Sequence, residues 1–452
     1  MKTKFAAPLA LVSAVAATFL FQIETASSDS AARDPGVRFG AANAGDPFAD
    51  LTANEHAFFE LGKEDFNEAE DVADGLGPRM NLDGCGGCHS QPAVGGTSPA
   101  VNPQVAFANK DGGTDTVPSF VTPRGPIREA RFVKKPDGTP DGGVHALFTI
   151  TGREGADGCN IAQPNFAAEL ARDNVIFRIP TPVFGAGLIE QIPDKVILAN
   201  QASDASAKAA LGIRGKPNRI RVSGSANNNG NDGTVSRFGW KAQNQTLLLF
   251  SGEAYNVEMG ITSELFQSER DETASCQFAT VPNDTQNFDA TDALTGTTAI
   301  QNFANFQRFL APPTPSSNAP GGATSIARGK AQFSSIGCAL CHTPALKTGN
   351  STVAALRNKT ANLYSDLLVH DMGDGLADGV SQGEAGPREF RSSPLWGLGK
   401  RIFFLHDGRT SDLVVAIRAH ASSGSEANRV VANFNALSES RKQDLLNFLR
   451  SL

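Results

Sequence analysis

The sequence has no excess of positive charge and, beyond its N-terminus, no long apolar run. Its 452 residues include 40 Lys and Arg against 47 Asp and Glu, a formal net charge of −7 at pH 7. Without a basic stripe, the chain lacks the electrostatic pattern of a nucleic-acid-binding protein. Only 19% of the residues are charged, while Gly and Pro number 45 and 25. This composition is typical of a loop-rich globular protein, and the length suggests two or three domains.

The long apolar run at the N-terminus has the pattern of an export signal. Lys2 and Lys4 precede an almost entirely apolar stretch from Phe5 to Ile23, and small residues follow it. This order predicts a signal peptide over residues 1–27. The alternative is a membrane anchor, because the uncleaved stretch is long enough to span a bilayer. Residues 28–48 are small and polar and are expected to form a flexible leader.

Cysteine is scarce, and four of the six cysteines stand in two copies of one motif. Cys85–His89 and Cys338–His342 both have the pattern Cys-x-x-Cys-His, which is the attachment site of a c-type haem. Cysteines three positions apart lie on one face of a helical turn, and the following histidine is the proximal iron ligand. Neither pair has further Cys or His at the spacing of a zinc site. We therefore predict two covalently attached c-type haems, held by Cys85, Cys88 and His89 and by Cys338, Cys341 and His342.

The two remaining cysteines are Cys159 and Cys276. In an oxidising compartment an unaccompanied pair is most simply a structural disulfide, and we predict that bond here. Once both motifs hold haem, no Cys-x-x-Cys is left free, so the sequence gives little support to dithiol chemistry.

The patterns along the chain predict a mainly α fold with loop-rich and minor β insertions, built as two cytochrome-c-like haem domains. The N-terminal haem domain would span residues 49–310, and alternating β-branched segments predict short strands in an insertion at about residues 127–235. Residues 311–323 contain no large apolar residue and are typical of a linker. The C-terminal haem domain would span residues 324–452.

Helical patterns precede both motifs and close the chain. Thr52 and Glu55 have the spacing of a capping box, so a helix is expected to begin there. A second helix is predicted around residues 327–336, directly before Cys338. A third runs from about Ser438 to the C-terminus, with apolar residues at helical spacing.

Taken together, the motifs resemble those of the bacterial di-haem c-type oxidoreductases, peroxidase-like proteins also called thiol oxidoreductases. These are relatives of the di-haem cytochrome c peroxidases and of the di-haem enzyme that matures methylamine dehydrogenase. The resemblance runs from about Leu51 to the C-terminus. Besides the two haem motifs it is carried by Gly77-Pro78, Pro180–Gly185, Gly187–Glu190, Arg237–Ala242, Glu258–Thr262, Leu363–Leu368, His370–Gly373, Glu389–Arg391, Pro394–Gly397 and Leu405–Arg409.

This resemblance implies that the two haems differ. In the superfamily the N-terminal haem meets peroxide, while the C-terminal haem receives electrons and is six-coordinate. The first candidate for the sixth ligand is His420, fourteen residues after His406, where relatives have Met or Tyr. Bis-His ligation would give a lower potential than Met/His. The runner-up is Met372, thirty residues after His342, whereas His370 and His406 are expected to lie behind the ligands or at the domain interface.

For the N-terminal haem the resemblance implies a carboxylate instead of a second histidine. No histidine follows Cys88 where the peroxidases have one, and His145, the next downstream, is expected to be structural. Glu258 matches the acid of the superfamily's Glu-Met motif and would handle the proton of a bound peroxide. Relatives also have a glutamine eight to ten residues before this acid, where this chain has residues 248–250, two leucines and a phenylalanine.

Trp240 lies close to where relatives place a tryptophan between the two haems. Three further cations, Arg237, Lys241 and Arg391, are candidates for pairing with haem propionates, because buried carboxylates need cationic partners. The peroxidases bind calcium between their domains, but at the matching place this chain has Arg401 and Phe403, so calcium is not predicted.

The resulting prediction is a periplasmic di-haem redox enzyme of peroxidase type. An electron-donor cytochrome or cupredoxin and a small oxidant such as hydrogen peroxide are its expected partners, with a membrane involved only if the N-terminal segment stays uncleaved. Two other functions remain open: electron transfer without a substrate of its own, or oxidation of a partner protein.

Overall fold

The structure is a computed structural model that describes residues 31–40, 42–110, 115–219 and 234–452. The predicted signal peptide lies outside these ranges. The described chain is largely helical, as expected from the sequence. Its α-helices are α1 Ala53–Asn67, α2 Cys85–Cys88, α3 Gln104–Phe107, α4 Phe166–Ala171, α5 Ala186–Glu190, α6 Asp194–Ala202, α7 Ala205–Leu211, α8 Leu247–Met259, α9 Ala299–Phe309, α10 Gly322–Ser335, α11 Leu413–Ala419, α12 Asn428–Asn435 and α13 Glu439–Ser451.

The strands are short and lie mostly between the helices of the first half. They are β1 Arg79–Met80, β2 Glu129–Phe132, β3 Val144–His145, β4 Phe148–Thr149, β5 Val175–Arg178, β6 Asn218–Arg219, β7 Val235–Ser236, β8 Leu346–Lys347, β9 Thr360–Ala361, β10 Val369–Asp371 and β11 Glu389–Arg391. In the described residues β2 is the centre of a three-stranded sheet ordered β3-β2-β5, and all other sheets have two strands. All strand pairs are antiparallel.

A helix pair stands beside each Cys-x-x-Cys-His motif. Helix α1 begins at the Thr52 cap with the predicted capping box and packs against α9. A Cβ atom on Gly62 of α1 would lie 2.2 Å from the Asn302 carbonyl oxygen of α9, so the close approach requires glycine. The α10–α13 pair repeats this design, since a Cβ on Gly329 would lie 2.0 Å from the Asp444 carbonyl oxygen.

Two hydrophobic cores accompany the two helix pairs. The larger core contains Phe59, Phe66, Phe303 and Phe306 together with most of the buried residues before the second motif. The smaller core contains side chains of α10, α12 and α13, namely Phe333, Phe434, Leu445, Leu446 and Phe448. Each fully buried side chain of this size contributes about 1.5–3 kcal/mol of transfer free energy. The cores therefore fix the helices from which both motifs are presented.

The residues predicted to be a flexible leader are tied to the C-terminal part of the chain where the structure describes them. Asp34 accepts two hydrogen bonds of 2.7 Å from the guanidinium of Arg450, and both side chains are buried. The Arg38 amide also donates to the Gly399 carbonyl oxygen at 2.7 Å. This differs from the expectation, because composition alone does not reveal partners that are hundreds of residues away.

Helix boundaries also depart from the sequence pattern in two places. Helix α10 begins at Gly322, within the segment predicted as linker, because its small residues pack on α13. Helix α8 extends to Met259, well beyond the apolar run at its start, and therefore carries Glu258 in its last turn. No helix among the described residues is long and apolar enough to cross a membrane.

Candidate haem-binding sites

The first Cys-x-x-Cys-His motif forms one helical turn, α2, which presents both thiols on the same side. The amide of His89 donates to the Cys85 carbonyl oxygen at 3.1 Å. The His89 Nδ1 atom lies 2.9 Å from the Gly96 carbonyl oxygen. A carbonyl can only accept, so Nδ1 carries the proton and Nε2 is left unprotonated for a metal. Burial lowers the pKa of His89, which keeps the ring neutral, as a ligand must be.

The second motif repeats this arrangement. The Nδ1 atom of His342 lies 3.1 Å from the Tyr364 carbonyl oxygen. Burial, with a smaller effect of His420, lowers the pKa of His342 to about 4. His420, at the end of α11, places its own Nδ1 2.7 Å from the Ala416 carbonyl oxygen, and burial lowers its pKa too. His342 and His420 are thus both neutral, with Nε2 available.

A cavity of about 230 Å³ lies beside the second motif and is mainly apolar. It is lined by Cys338, Cys341, His342, Met372 and His420, among other residues. A single water needs only about 10–15 Å³ of such volume, so the space admits a much larger group. His342 and His420, the two neutral histidines, both face this cavity, and so does Met372, the other candidate for the sixth ligand.

Buried cations support an anionic group in this second cavity. Arg391 and Arg401 both line it, and burial lowers the pKa of each to about 10. Among the described residues they bind only carbonyl and hydroxyl oxygens, and the Arg391 Nε has no partner. Since buried charges need a counter-charge, a haem with its propionates fits these two residues.

The other two cations proposed for this role are already paired. Arg237 forms an ion pair with Asp194, and the Lys241 Nζ lies 3.0 Å from Asp378. The propionate role predicted for Arg237 and Lys241 is therefore wrong, because protein carboxylates satisfy both. Arg401, which the sequence comparison considered only as a residue unsuited to calcium, has the environment expected of a propionate partner.

Another cavity lies beside the first motif, and its lining is more polar than that of the cavity beside the second motif. This cavity of about 150 Å³ is lined by Cys85, Cys88, His89 and Glu258, as predicted from the motifs, and also by Asn81, Glu129, Arg131, Arg178, Trp240 and Gln307. His89 is the only histidine among these lining residues. The Oδ1 atom of Asn81 and the Oε1 atom of Gln307 are buried without a hydrogen-bond partner in the described structure. Two vacant acceptors suit a small molecule that carries O–H groups.

Glu258 is paired with a second acid, Glu129 of β2. Burial raises the pKa of Glu258 well above its usual range, and the charge and hydrogen bond of Glu129 raise it further. Burial also disfavours ionised Glu129, but the Arg131 and Arg178 cations hold its pKa below the usual value. Asn81 donates to the Glu258 Oε2 atom at 2.9 Å. The two carboxyls therefore share one proton and one negative charge, as like-charged neighbours must.

Trp240 lies between the two cavities. It lines both of them, together with Ile179 and Pro180. Its indole N–H donates to the Ile179 carbonyl oxygen at 2.8 Å, which fixes the ring. Its ring also meets His406 edge to face at 6.4 Å, and His406 stacks on Phe390 at 4.3 Å. An aromatic cluster thus separates the two sites.

The remaining histidines considered in the sequence are occupied otherwise. His370 lies 3.0 Å from both Asp366 and Glu426, through different ring nitrogens, so neither nitrogen is free for a metal. His145 stacks on the Phe132 ring at 3.7 Å and is not among the residues that line the first cavity.

Cys159 and Cys276 form the predicted disulfide, with an S–S distance of 2.12 Å.

Glu129, Gln307 and Arg401 are the site residues that sequence reasoning missed. Glu129 stands in a correctly predicted strand, but nothing local indicates that it faces an acid 129 positions away. Gln307 of α9 brings a glutamine into the first cavity, although the glutamine expected before Glu258 is absent. In the sequence, Gln307 is visible only as a polar residue of an amphipathic helix. The described residues contain no group of three or more His, Cys, Asp or Glu side chains arranged to hold a metal ion.

Comparisons with known proteins give a family. No curated protein matches the sequence. Among solved structures, hydrazine synthase from Kuenenia stuttgartiensis, pressurised with 20 bar xenon, is 12% identical with a TM-score of 0.35, covering 99% of this chain and 100% of that one. A MauG-like protein associated with microbial copper homeostasis is 17% identical with a TM-score of 0.29, covering 60% of this chain and 90% of that one.

The family match covers most of the chain. The family described as "Di-haem oxidoreductase, putative peroxidase" matches residues 131–452, a range that includes Glu258, the second motif and His420 and begins after the first motif. The resemblance stated from the sequence is confirmed. The chain therefore belongs to the di-haem oxidoreductase family and is a peroxidase-like di-haem redox enzyme.

Proposed function

We propose that the protein is a periplasmic di-haem peroxidase in which electrons enter at the second motif and are used at the first. Both haems would be attached covalently, through Cys85 and Cys88 and through Cys338 and Cys341. The observation that carries this proposal is the inequality of the two cavities. One contains two neutral histidines with free Nε2 atoms, and the other contains one such histidine and a carboxyl pair.

The second cavity is suited to electron storage. His342 and His420 would hold the haem iron through their Nε2 atoms, and Met372 would remain a neighbour. The haem would supply a reversible one-electron store, with a potential set by these ligands. Arg391 and Arg401 would neutralise its propionates, and the apolar lining would exclude water. With the haem iron held by two histidines, peroxide would be kept away from this site.

The first cavity is suited to proton transfer. Glu258 would hold the shared proton and Glu129 the negative charge, with Arg131 fixing the latter. A peroxide bound beside them can pass a proton to the pair and receive one at its leaving oxygen, as reduction to two waters requires. The vacant acceptors on Asn81 and Gln307 would orient its O–H groups. The pair then works as one acid–base unit rather than as a single base.

Electron transfer between the sites would follow Trp240. Its indole is held by Ile179 and lines both cavities, so it shortens the gap that an electron must cross. The donor would be a small periplasmic redox protein, either a cytochrome or a cupredoxin, consistent with the export signal predicted for residues 1–27.

The coordination state of each iron tests this function. In EPR of the oxidised holoprotein we expect one low-spin bis-His haem and one high-spin haem, and rapid mixing of the reduced protein with hydrogen peroxide should oxidise it with turnover. Two low-spin haems and no reaction with peroxide would overturn the proposal in favour of an electron carrier. Met259, which also lines the first cavity, would then be the ligand to examine.

The carboxyl pair can be tested with a matched control on the same helix. Glu258→Gln should lower kcat with peroxide by about 10²–10⁴-fold, the usual range for a positioned acid–base group. Glu253→Gln is the control, because Glu253 is also on α8 but does not line the first cavity. An equal loss in both variants would show that the effect comes from the helix and not from proton transfer.

A further inference from the structure

A buried tyrosine lies beside the first site and has a carboxylate as its hydrogen-bond partner. Tyr255 is on α8, almost one turn before Glu258, and is only 4% exposed. Its hydroxyl donates to the Glu70 Oε1 atom at 2.8 Å, and this hydrogen bond is buried. The proposed proton transfer does not use this pair.

Packed aromatic rings connect Tyr255 with the proximal histidine of the first motif. The Tyr255 and Phe303 rings meet edge to face at 5.0 Å between centroids. Phe303 contacts Phe66 at 6.1 Å, and Phe66 contacts His89 at 5.8 Å. Phe303 and Phe66 also line the cavity. An electron leaving Tyr255 therefore crosses close-packed rings to reach the first site.

Glu70 is fixed against the haem-binding loop. Its amide donates to the Asp83 carbonyl oxygen at 2.8 Å, two residues before Cys85. A Cβ on Gly84 would lie 2.4 Å from the Glu68 carbonyl oxygen, so the two segments are in backbone contact. Burial raises the pKa of Glu70 to about 7, which makes it a proton acceptor near neutral pH that is stronger than an ordinary carboxylate.

A phenol is oxidised readily only if its proton leaves together with the electron. The radical cation of a phenol is strongly acidic, so a buried tyrosine without an acceptor for its proton stays reduced. A carboxylate held at hydrogen-bond distance removes this barrier. The Tyr255–Glu70 pair has that geometry, and the aromatic contacts provide the route for the electron.

We propose that Tyr255 and Glu70 form a redox site of their own, which supplies an electron to the first site when the second cannot. This inference rests on the proposed peroxidase function, because peroxide is the oxidant. Reduction of one peroxide to two waters consumes two electrons and two protons. Tyr255 gives one of these electrons, and its phenolic proton moves to Glu70 Oε1. The haem held at the first motif would give the other electron, and the two protons would enter from solvent. The products are a neutral tyrosyl radical and a neutral Glu70 carboxyl.

The chain contains a matched control tyrosine. Its only other tyrosine is Tyr364, which is buried and reaches His342 through Phe333, with ring contacts of 5.9 and 6.4 Å. No described residue accepts a hydrogen bond from the Tyr364 hydroxyl. Tyr364 thus has a comparable route to an iron ligand but lacks the carboxylate.

The test is freeze-quench EPR of the oxidised holoprotein, without added electron donor, after mixing with hydrogen peroxide at pH 8.5. Protein containing ring-deuterated tyrosine identifies a tyrosyl signal by the narrowing of its hyperfine structure. We expect this signal in the wild type and in Tyr364→Phe, and not in Tyr255→Phe. In Glu70→Gln its rate of formation should fall about a hundredfold, the low end of the effect of a positioned proton acceptor.

The outcomes separate this inference from the function on which it rests. A haem absorption change with peroxide but no deuterium-sensitive signal, or a signal that persists in Tyr255→Phe, would overturn the tyrosine site alone. If the haem spectrum does not respond to peroxide, the peroxidase function fails. The tyrosine is then examined by flash oxidation with photogenerated tris(bipyridine)ruthenium(III), and equal radical yields in wild type and Tyr255→Phe would overturn the site as well.

Discussion

At the scale of single residues, the first site depends on an electrostatic relation between two acids. Glu258 stays protonated because it is buried and because Glu129 beside it is ionised. Glu129 in turn stays ionised because Arg131 and Arg178 are close. The pKa of each acid depends on the other acid, so a substitution of one should change the titration of the other.

Glu129→Gln is the substitution that separates them. Removing the negative charge removes one of the causes that raise the pKa of Glu258, so Glu258 should lose its proton at lower pH. Because the proposed proton transfer uses protonated Glu258, the loss of activity at high pH should occur about one pH unit or more lower in the variant than in the wild type. The measurement is the pH profile of kcat/KM for peroxide. An unshifted profile would mean that the two carboxyls do not interact.

His420 gives a second prediction at this scale. His420→Met should replace bis-His by Met/His ligation and raise the reduction potential of the second haem, as measured by spectroelectrochemical titration. Met372→Leu is the control and should leave both the potential and the low-spin signal unchanged. If the low-spin signal is lost in Met372→Leu but is unchanged in His420→Met, the ligand is Met372 instead.

At the scale of elements, the haem-bearing turns depend on helix pairs that meet at glycine. Gly329→Ala would place a Cβ 2.0 Å from the Asp444 carbonyl oxygen, and a backbone atom cannot move aside as a side chain can. We expect the free energy of unfolding to fall by about 1–3 kcal/mol, as for other overpacked sites. Thermal unfolding of the holoprotein measures this.

The control for that substitution lies on the same helix. Ser335→Ala changes an exposed residue at the end of α10, whose hydroxyl only reaches the Gln332 carbonyl oxygen, and should leave the melting temperature nearly unchanged. If Gly329→Ala melts at the same temperature as this control, the α10–α13 spacing is not set by the glycine.

The elements also show what a sequence can predict. Thr52 with Glu55, the Cys-x-x-Cys-His turns and the terminal helix from Ser438 are all local patterns, and each was predicted correctly. Glu129 could not be predicted, because its role arises only when β2 packs beside the end of α8. The propionate role of Arg237 failed for the same kind of reason, since its partner Asp194 lies 43 positions away. Motifs formed by neighbouring residues can be predicted from the sequence, whereas the partners of a single side chain depend on tertiary packing.

At the scale of the whole molecule, a buried ion cluster joins distant parts of the chain beside Trp240. Asp378 lies 2.7 Å from Arg178 Nη2 and 3.0 Å from Lys241 Nζ, and all three side chains are almost completely buried. Lys241 also lies 4.0 Å above the Phe390 ring. One carboxylate therefore holds β5, the segment after β7 and the loop before β11 together.

Asp378→Asn should destabilise the protein strongly, because two buried cations would lose their counter-charge. The expected decrease in the free energy of unfolding is about 3–5 kcal/mol, measured by denaturant unfolding of the holoprotein. Asp374→Asn, which breaks the exposed pair with Arg388, is the control and should cost about 1 kcal/mol or less. Similar effects of the two substitutions would contradict a structural role for the buried cluster.

The bond between Asp34 and Arg450 has a consequence for the order in which the chain can fold. The two residues are 416 positions apart, so during synthesis from the N-terminus Asp34 cannot meet its cationic partner until the final helix is complete. The segment around Asp34 is then among the last to dock, after both haem motifs have been made. A chain that lacks its last turn would retain every predicted iron ligand and yet lose the buried ion pair between Asp34 and Arg450.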